Sequence, residues 1–100
     1  MVDDEMKVFI GRKKTMNYVM AAIMNLESGN PCILMARGKS ISRAVDVAEI
    51  LKNKFAIGAS YGDIKITTEE LVNEDGSKTN VSSMEIEIKP AKRPTKKGKK

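Results

Sequence analysis

Two short basic clusters hold the residues best placed to do chemistry. Gly11-Arg12-Lys13-Lys14 stands directly before an apolar-periodic run from Met16 to Leu26. Arg37-Gly38-Lys39-Ser40, with Arg43 one turn on, stands before a second run from Ile41 to Phe55. Each cluster joins cationic side chains to the free backbone N–H groups of a helix start, a combination suited to phosphate. If both clusters share one face, they form a surface for nucleic acid. Gly38 lets the backbone approach a ligand closely. Arg37 offers a planar fork, and Ser40 stands where it can cap the helix or donate to an oxygen. Asn17 is a further candidate for a phosphate or sugar contact. Tyr18 is read as packing under the first loop, its hydroxyl fixing a neighbour.

Other chemistries find little support. The P-loop spacing is absent, so nucleotide hydrolysis is not implied. The chain has no histidine and one cysteine, Cys32, which excludes His-based triads and leaves a zinc site almost without ligands. Cys32 reads as a buried apolar residue in a reducing compartment. The carboxylates Asp46, Glu49, Asp63, Glu69 and Glu70 form no recognisable metal cluster, so catalysis, a small nuclease for example, is a distant reading. No cofactor or small-molecule substrate is expected. No apolar stretch approaches a membrane span, and the acidic start Met1-Val2-Asp3-Asp4-Glu5 is unlike a signal peptide.

The elements that must position the clusters follow from the hydropathy pattern. Lys7–Ile10 reads as a strand ended by Gly11. Thr15 is expected to cap the first helix, whose stripe is Met16, Val19, Met20, Ile23 and Leu26. The other methionines, Met24, Met35 and Met84, are likewise read as core. Gly29 and Pro31 stop the helix. Cys32–Ala36, nearly all apolar, predicts a central strand covered on both faces. Ile41, Ala44, Val45, Ala48, Leu51 and Phe55 define the second helix, and Val47 and Ile50 widen its stripe, which hints at a subunit contact. Residues 58–62 read as a loop, and a strand begins at Ile64. Asp75-Gly76 favours a primed hairpin turn. Met84, Ile86 and Ile88 alternate with Glu85 and Glu87 on the return strand. The polar stretch 67–83 predicts a projecting arm.

The order β-α-β-α-β-β predicts an α/β two-layer sandwich, a four-stranded mixed sheet with two helices on one face and a long hairpin. A chain of 100 residues is one domain. Residues 1–6 are expected to fray, 7–89 to fold, and 90–100 to form a basic tail.

Charge is segregated rather than general. The net charge is +5, but residues 91–100 alone hold six cations and no anion. Residues 7–45 carry seven cations against the single anion Glu27, whereas residues 46–90 carry nine anions and five cations. One part of the surface is expected to be strongly positive, and the tail is expected to add phosphate affinity.

The segments Phe9-Ile10-Gly11-Arg12-Lys13-Lys14-Thr15-Met16-Asn17-Tyr18-Val19 and Ala36-Arg37-Gly38-Lys39-Ser40-Ile41-Ser42-Arg43-Ala44-Val45-Asp46 closely resemble the Alba family of small archaeal chromatin proteins. The likeness runs from about Lys7 to Lys89. It implies the same β-α-β-α-β-β sandwich, a homodimer, and binding of double-stranded DNA and of RNA, with the paired hairpins reaching toward the minor grooves. Cytoplasmic residence on the chromosome follows from it. By resemblance, Arg12 and Lys13 take the family's paired basic positions, and Arg37, Lys39 and Arg43 the second basic set. Ser77, Lys78 and Asn80 of the hairpin are expected to meet the groove. Phe55 matches an aromatic at a contact between dimers in some members. Arg12 replaces a lysine of the common pair, which leaves Lys13 and Lys14 as the candidates for acetylation. Lys14 itself replaces a frequent proline, and the hairpin tip Glu74-Asp75-Gly76-Ser77-Lys78 is acidic on one side. The alternatives are an RNA-binding protein acting on structured RNA and a sequence-selective DNA-binding regulator.

Overall fold

The computed structural model describes residues 6–91; the expectations for the N-terminal residues before Met6 and for the basic tail beyond Ala91 lie outside these residues. The elements are β1 (Lys7–Phe9), α1 (Thr15–Glu27), β2 (Cys32–Arg37), α2 (Ser40–Ile50), β3 (Ser60–Val72) and β4 (Lys78–Lys89). They form one mixed sheet in the order β1-β2-β4-β3, parallel between β1 and β2 and antiparallel elsewhere. This is the α/β sandwich expected.

Strand alternation builds the core. Val8 pairs with Leu34 and Leu34 with Ile86, so the three point to the same face. Cys32 and Ile88 join them there, beneath Val19, Ala22, Ala44, Val47 and Leu51 of the helical layer. Among the described residues nothing covers the opposite face. β2 is therefore covered on one face only, contrary to expectation, and Ile33 and Met35 stay half-exposed because both helices pack on the same side.

The stripe of α1 also differs. Tyr18, Val19, Ala22 and Leu26 are buried, Ile23 is partly so, and Met16, Met20 and Met24 are exposed. The row 16/20/24 is offset by two residues, about 200°, from the row 18/22/26. One sheet cannot cover both rows, and the small Ala22 lets the second approach closely.

Helix starts differ in detail as well. The N-caps are Lys14 and Lys39, neither with a capping side chain. Thr15 and Ser40 are already helical, one position too late to cap. The first helix ends as expected, with Gly29 at φ 86°. α2 continues into one π-helical turn, Leu51–Phe55, closed by the Ala56 N–H donating to Leu51 O. Val45 and Phe55 are exposed there rather than core.

β3 begins at Ser60, not Ile64. Tyr61 pairs with Ile88 and Ile64 with Ile86, so β3 carries one extra residue, a bulge at Gly62-Asp63. The Glu87 carboxylate accepts from the Asp63 N–H, and a Cβ on Gly62 would collide with it. Beyond Thr67 the two strands continue as a mostly exposed arm. Its tip is a five-residue loop, Asn73–Ser77, rather than a two-residue primed turn. Asn73 Nδ2 donates to Ser77 Oγ and Thr79 Oγ1, and Asp75 accepts from the Ser77 N–H and Oγ. Those bonds hold Asp75 below its usual carboxylate range.

Candidate nucleic-acid interface

Loop 1, Gly11–Lys14, is built around one phenol and one guanidinium. Tyr18 reaches back from the first turn of α1, and its hydroxyl accepts from the Gly11 N–H and the Lys13 N–H, both at 2.9 Å. Arg43 reaches across from α2, and its Nη1 donates to Gly11 O and Lys13 O, both at 3.0 Å. The N–H and C=O groups of Gly11 and Lys13 are thus satisfied by side chains, while the side chains of Arg12, Lys13 and Lys14 are exposed. Arg43 joins the two clusters by holding the first from the second.

Loop 2 is simpler. Gly38 sits at φ 54°, a region that disfavours a Cβ, and its N–H donates to Ser82 O on β4 at 2.8 Å. The Ile41 N–H returns to Gly38 O. Arg37 leans toward the hairpin, its Nη1 lying 3.6 Å from Glu69 Oε1.

The two loops meet. Gly11, Arg12 and Thr15 from one side, and Arg37, Lys39, Ser40, Ser42 and Arg43 from the other, line one open cleft of about 550 Å³. Arg12 and Arg37 therefore border the same space. Lys13, Lys14 and Asn17 are exposed but outside its lining. Ser77, Lys78 and Asn80 lie at the far tip of the hairpin, where Lys78 pairs with Glu70 at 3.8 Å.

Two features depart from the sequence reading. Of the helix-start N–H groups, those of Asn17 and Ile41 are used internally, and the loop N–H groups of Gly11, Lys13 and Gly38 are used as well, so fewer backbone donors face an anion than the sequence reading expected. Two carboxylates stand among them: Asp46 lines the cleft, and Glu69 faces Arg37. Asp46 is legible as the residue one turn beyond Arg43 on a helix. Glu69 is legible only once the strand register is known.

Elsewhere on the helical layer, Tyr61 donates a short hydrogen bond to Glu49, and Lys52 Nζ lies 4.5 Å from the Tyr61 ring centroid. The Tyr61 bond holds Glu49 below its usual range. Burial, with Glu49 as second cause, pushes Tyr61 up to about 12. Beside this cluster an apolar groove of about 220 Å³ runs between α2 and the hairpin base, lined by Val45, Ala48, Ile64, Met84 and Ile86. Burial pushes the Cys32 thiol up to about 11, far from reactive.

Comparison with known proteins decides the family. The family model described as Alba matches residues 7–68. The chain belongs to the Alba family. A DNA/RNA-binding protein Alba from Thermoplasma acidophilum is 50% identical over 86 residues, covering 85% of this chain and 96% of the relative. One from Thermoplasma volcanium is 49% identical over 86 residues, covering 85% and 96%. The solved structure of Alba from Thermoplasma volcanium superposes with a TM-score of 0.78 at 48% identity, covering 83% of this chain and 98% of that one. Both quoted segments of the Alba resemblance fall inside the matched region. Within this Alba-family chain, the matched stretch ends at Thr68, so most of the hairpin arm lies beyond it.

Proposed function

We propose that this Alba-family chain is a non-enzymatic, homodimeric nucleic-acid-binding protein that coats or compacts double-stranded DNA through its phosphates, with little sequence preference. The observation that carries the reading is the shared cleft of Arg12, Arg37 and Lys39. Cations from separate loops border that one open space, and among the described residues no aromatic ring or side-chain amide lines it to read base edges. Relatives named DNA/RNA-binding proteins support it. Residence in the cytoplasm on the chromosome belongs to the same proposal.

Homodimerisation is supported by the apolar groove and by Ile64 and Ile66, which are 50% and 71% exposed beside it. A lone copy leaves this apolar surface in water. Phe55, also exposed, would serve contacts between dimers. In the dimer, Ser77, Lys78 and Asn80 would reach a groove, and exposed Lys13 and Lys14 would be the sites where acetylation weakens binding.

The test is salt. Neutralising about 6–10 phosphates makes affinity fall roughly 10³–10⁵-fold between about 50 and 200 mM salt. A nearly flat response removes the mechanism. Arg37→Ala should weaken all duplex sequences alike, and a loss confined to one site would favour the sequence-selective regulator. Structured RNA is the second reading, favoured by the double designation of the relatives. Crosslinking in cells, with recovered RNA and DNA counted, separates it.

A further inference from the structure

Arg37 also lines a second cleft, of about 320 Å³. Phe9, Met35, Arg37, Ser40, Glu69 and Ser83 border it, and it shares Arg37 and Ser40 with the basic cleft. Arg37 thus borders both clefts. Strand alternation explains the membership. Phe9 pairs with Met35, and Arg37 pairs with Ser83, which pairs with Thr67; Glu69 lies two residues beyond, on the same uncovered face.

The chemistry of this cleft is not that of its neighbour. Phe9 is 66% exposed on an edge strand, a ring that the core does not use. Glu69 adds an anion, which disfavours a phosphate but accepts from N–H groups. Arg37 and Glu69 are 3.6 Å apart, too long for a good hydrogen bond, and both side chains are about half exposed. A donor and an acceptor are thus presented side by side, next to an aromatic face and one step from a phosphate-attracting cleft.

We propose that this cleft receives an unpaired nucleobase of a folded RNA, guanine in first place. The inference rests on the nucleic-acid reading above. The base stacks on Phe9, as single-stranded bases do on exposed aromatic rings. Glu69 accepts from the two adjacent N–H groups of the guanine Watson–Crick edge, and Arg37 donates to the neighbouring carbonyl oxygen. The phosphate of the same nucleotide lies across Arg37 in the basic cleft. A base inside a duplex is already stacked and cannot enter, so the site distinguishes bulged from paired strands.

The test uses the full chain and two labelled RNA probes, a fully paired duplex and the same duplex with one unpaired guanosine, read by fluorescence anisotropy. The wild-type chain should bind the bulged probe more tightly. Phe9→Ala should lower affinity for the bulged probe about 5- to 100-fold and leave the paired probe unchanged. Phe9→Leu, which keeps apolar bulk for the fold, should behave like Phe9→Ala; full affinity in that variant overturns stacking. A third probe, with an unpaired adenosine in place of the guanosine, should bind the wild type less tightly than the guanosine probe, and Glu69→Gln should remove that difference. Arg12→Ala should weaken both probes alike. Equal affinity of the wild type for both probes, with no effect of Phe9→Ala, overturns the cleft assignment while leaving the nucleic-acid reading intact. Salt-independent or absent binding of both probes overturns the two together.

Discussion

The two basic loops reach one cleft by opposite means. In loop 1 the backbone is held and the charges are loose: Tyr18 and Arg43 bind Gly11 and Lys13 from both sides, while Arg12, Lys13 and Lys14 are exposed. In loop 2 the backbone is a short turn on a glycine, and the charge at its head is engaged, Arg37 with Glu69. The contrast teaches that a cationic run is not a uniform patch. Under the proposed reading, long lysines need only a rigid base from which to sample a phosphate spine. An arginine that must face two clefts is better oriented by a neighbouring carboxylate.

The largest expected effect breaks loop 1. Tyr18→Phe leaves two part-buried N–H groups without their acceptor and should cost about 2–3 kcal/mol in urea unfolding. Nucleic-acid affinity should fall with it, although no cation is removed. Arg43→Met, which removes the donors to the two carbonyls, should behave the same way at about 1–2 kcal/mol.

A comparable effect should come from a region remote from both loops and so serves as a control. Cys32 and Tyr61 both pair with Ile88, and Cys32 is at the end of β2 away from loop 2. Burial raises both, Cys32 from 9.0 to about 11 and Tyr61 from 10.0 to about 12. The unfolded chain therefore loses these protons first, and it binds fewer protons than the folded chain throughout that window. The stability contributed is fully present below about pH 9 and is lost as pH rises toward 11 to 12. For Cys32 the loss at about pH 10.5 is about 2 kcal/mol. Urea midpoints across this range should drop, and Cys32→Ala should flatten the drop.

Loop 2 should prove more tolerant. Gly38→Ala meets no atom within 4 Å, so only the backbone term at φ 54° opposes it, about 1–2 kcal/mol by chemical denaturation. The smallest effect sharpens the comparison further. Glu69→Gln releases Arg37 from an exposed ion pair and should raise affinity for a fully paired duplex at most about fivefold, with stability nearly unchanged. A large loss of duplex affinity would instead show that Glu69 is required to present Arg37.

Local signals carried much of the molecule. Apolar period, the Gly29 and Pro31 stop and the Asp75-Gly76 turn were enough for the order of elements, and the position of Tyr18 behind a glycine-led basic run was enough to suggest its role. They failed where choice among equivalent rows was needed. Periodicity marks 16/20/24 and 18/22/26 of α1 as equally apolar, and only the placement of the sheet leaves the methionines outside. Likewise an apolar β2 reads as doubly covered until both helices are seen on one side. Phe9 carries no local mark of exposure, and Glu69 is 32 residues along the chain from Arg37.

The kind of charge and where along the chain it gathers are readable from the residues alone, because side-chain chemistry and helix-start position are local properties. Which charges share a cleft, which are tied to backbone carbonyls and which anion stands beside them emerge only when the chain is folded. Those outcomes depend on strand register and on the side chosen by the helices, and both are fixed by long-range packing that no local stretch of residues encodes alone.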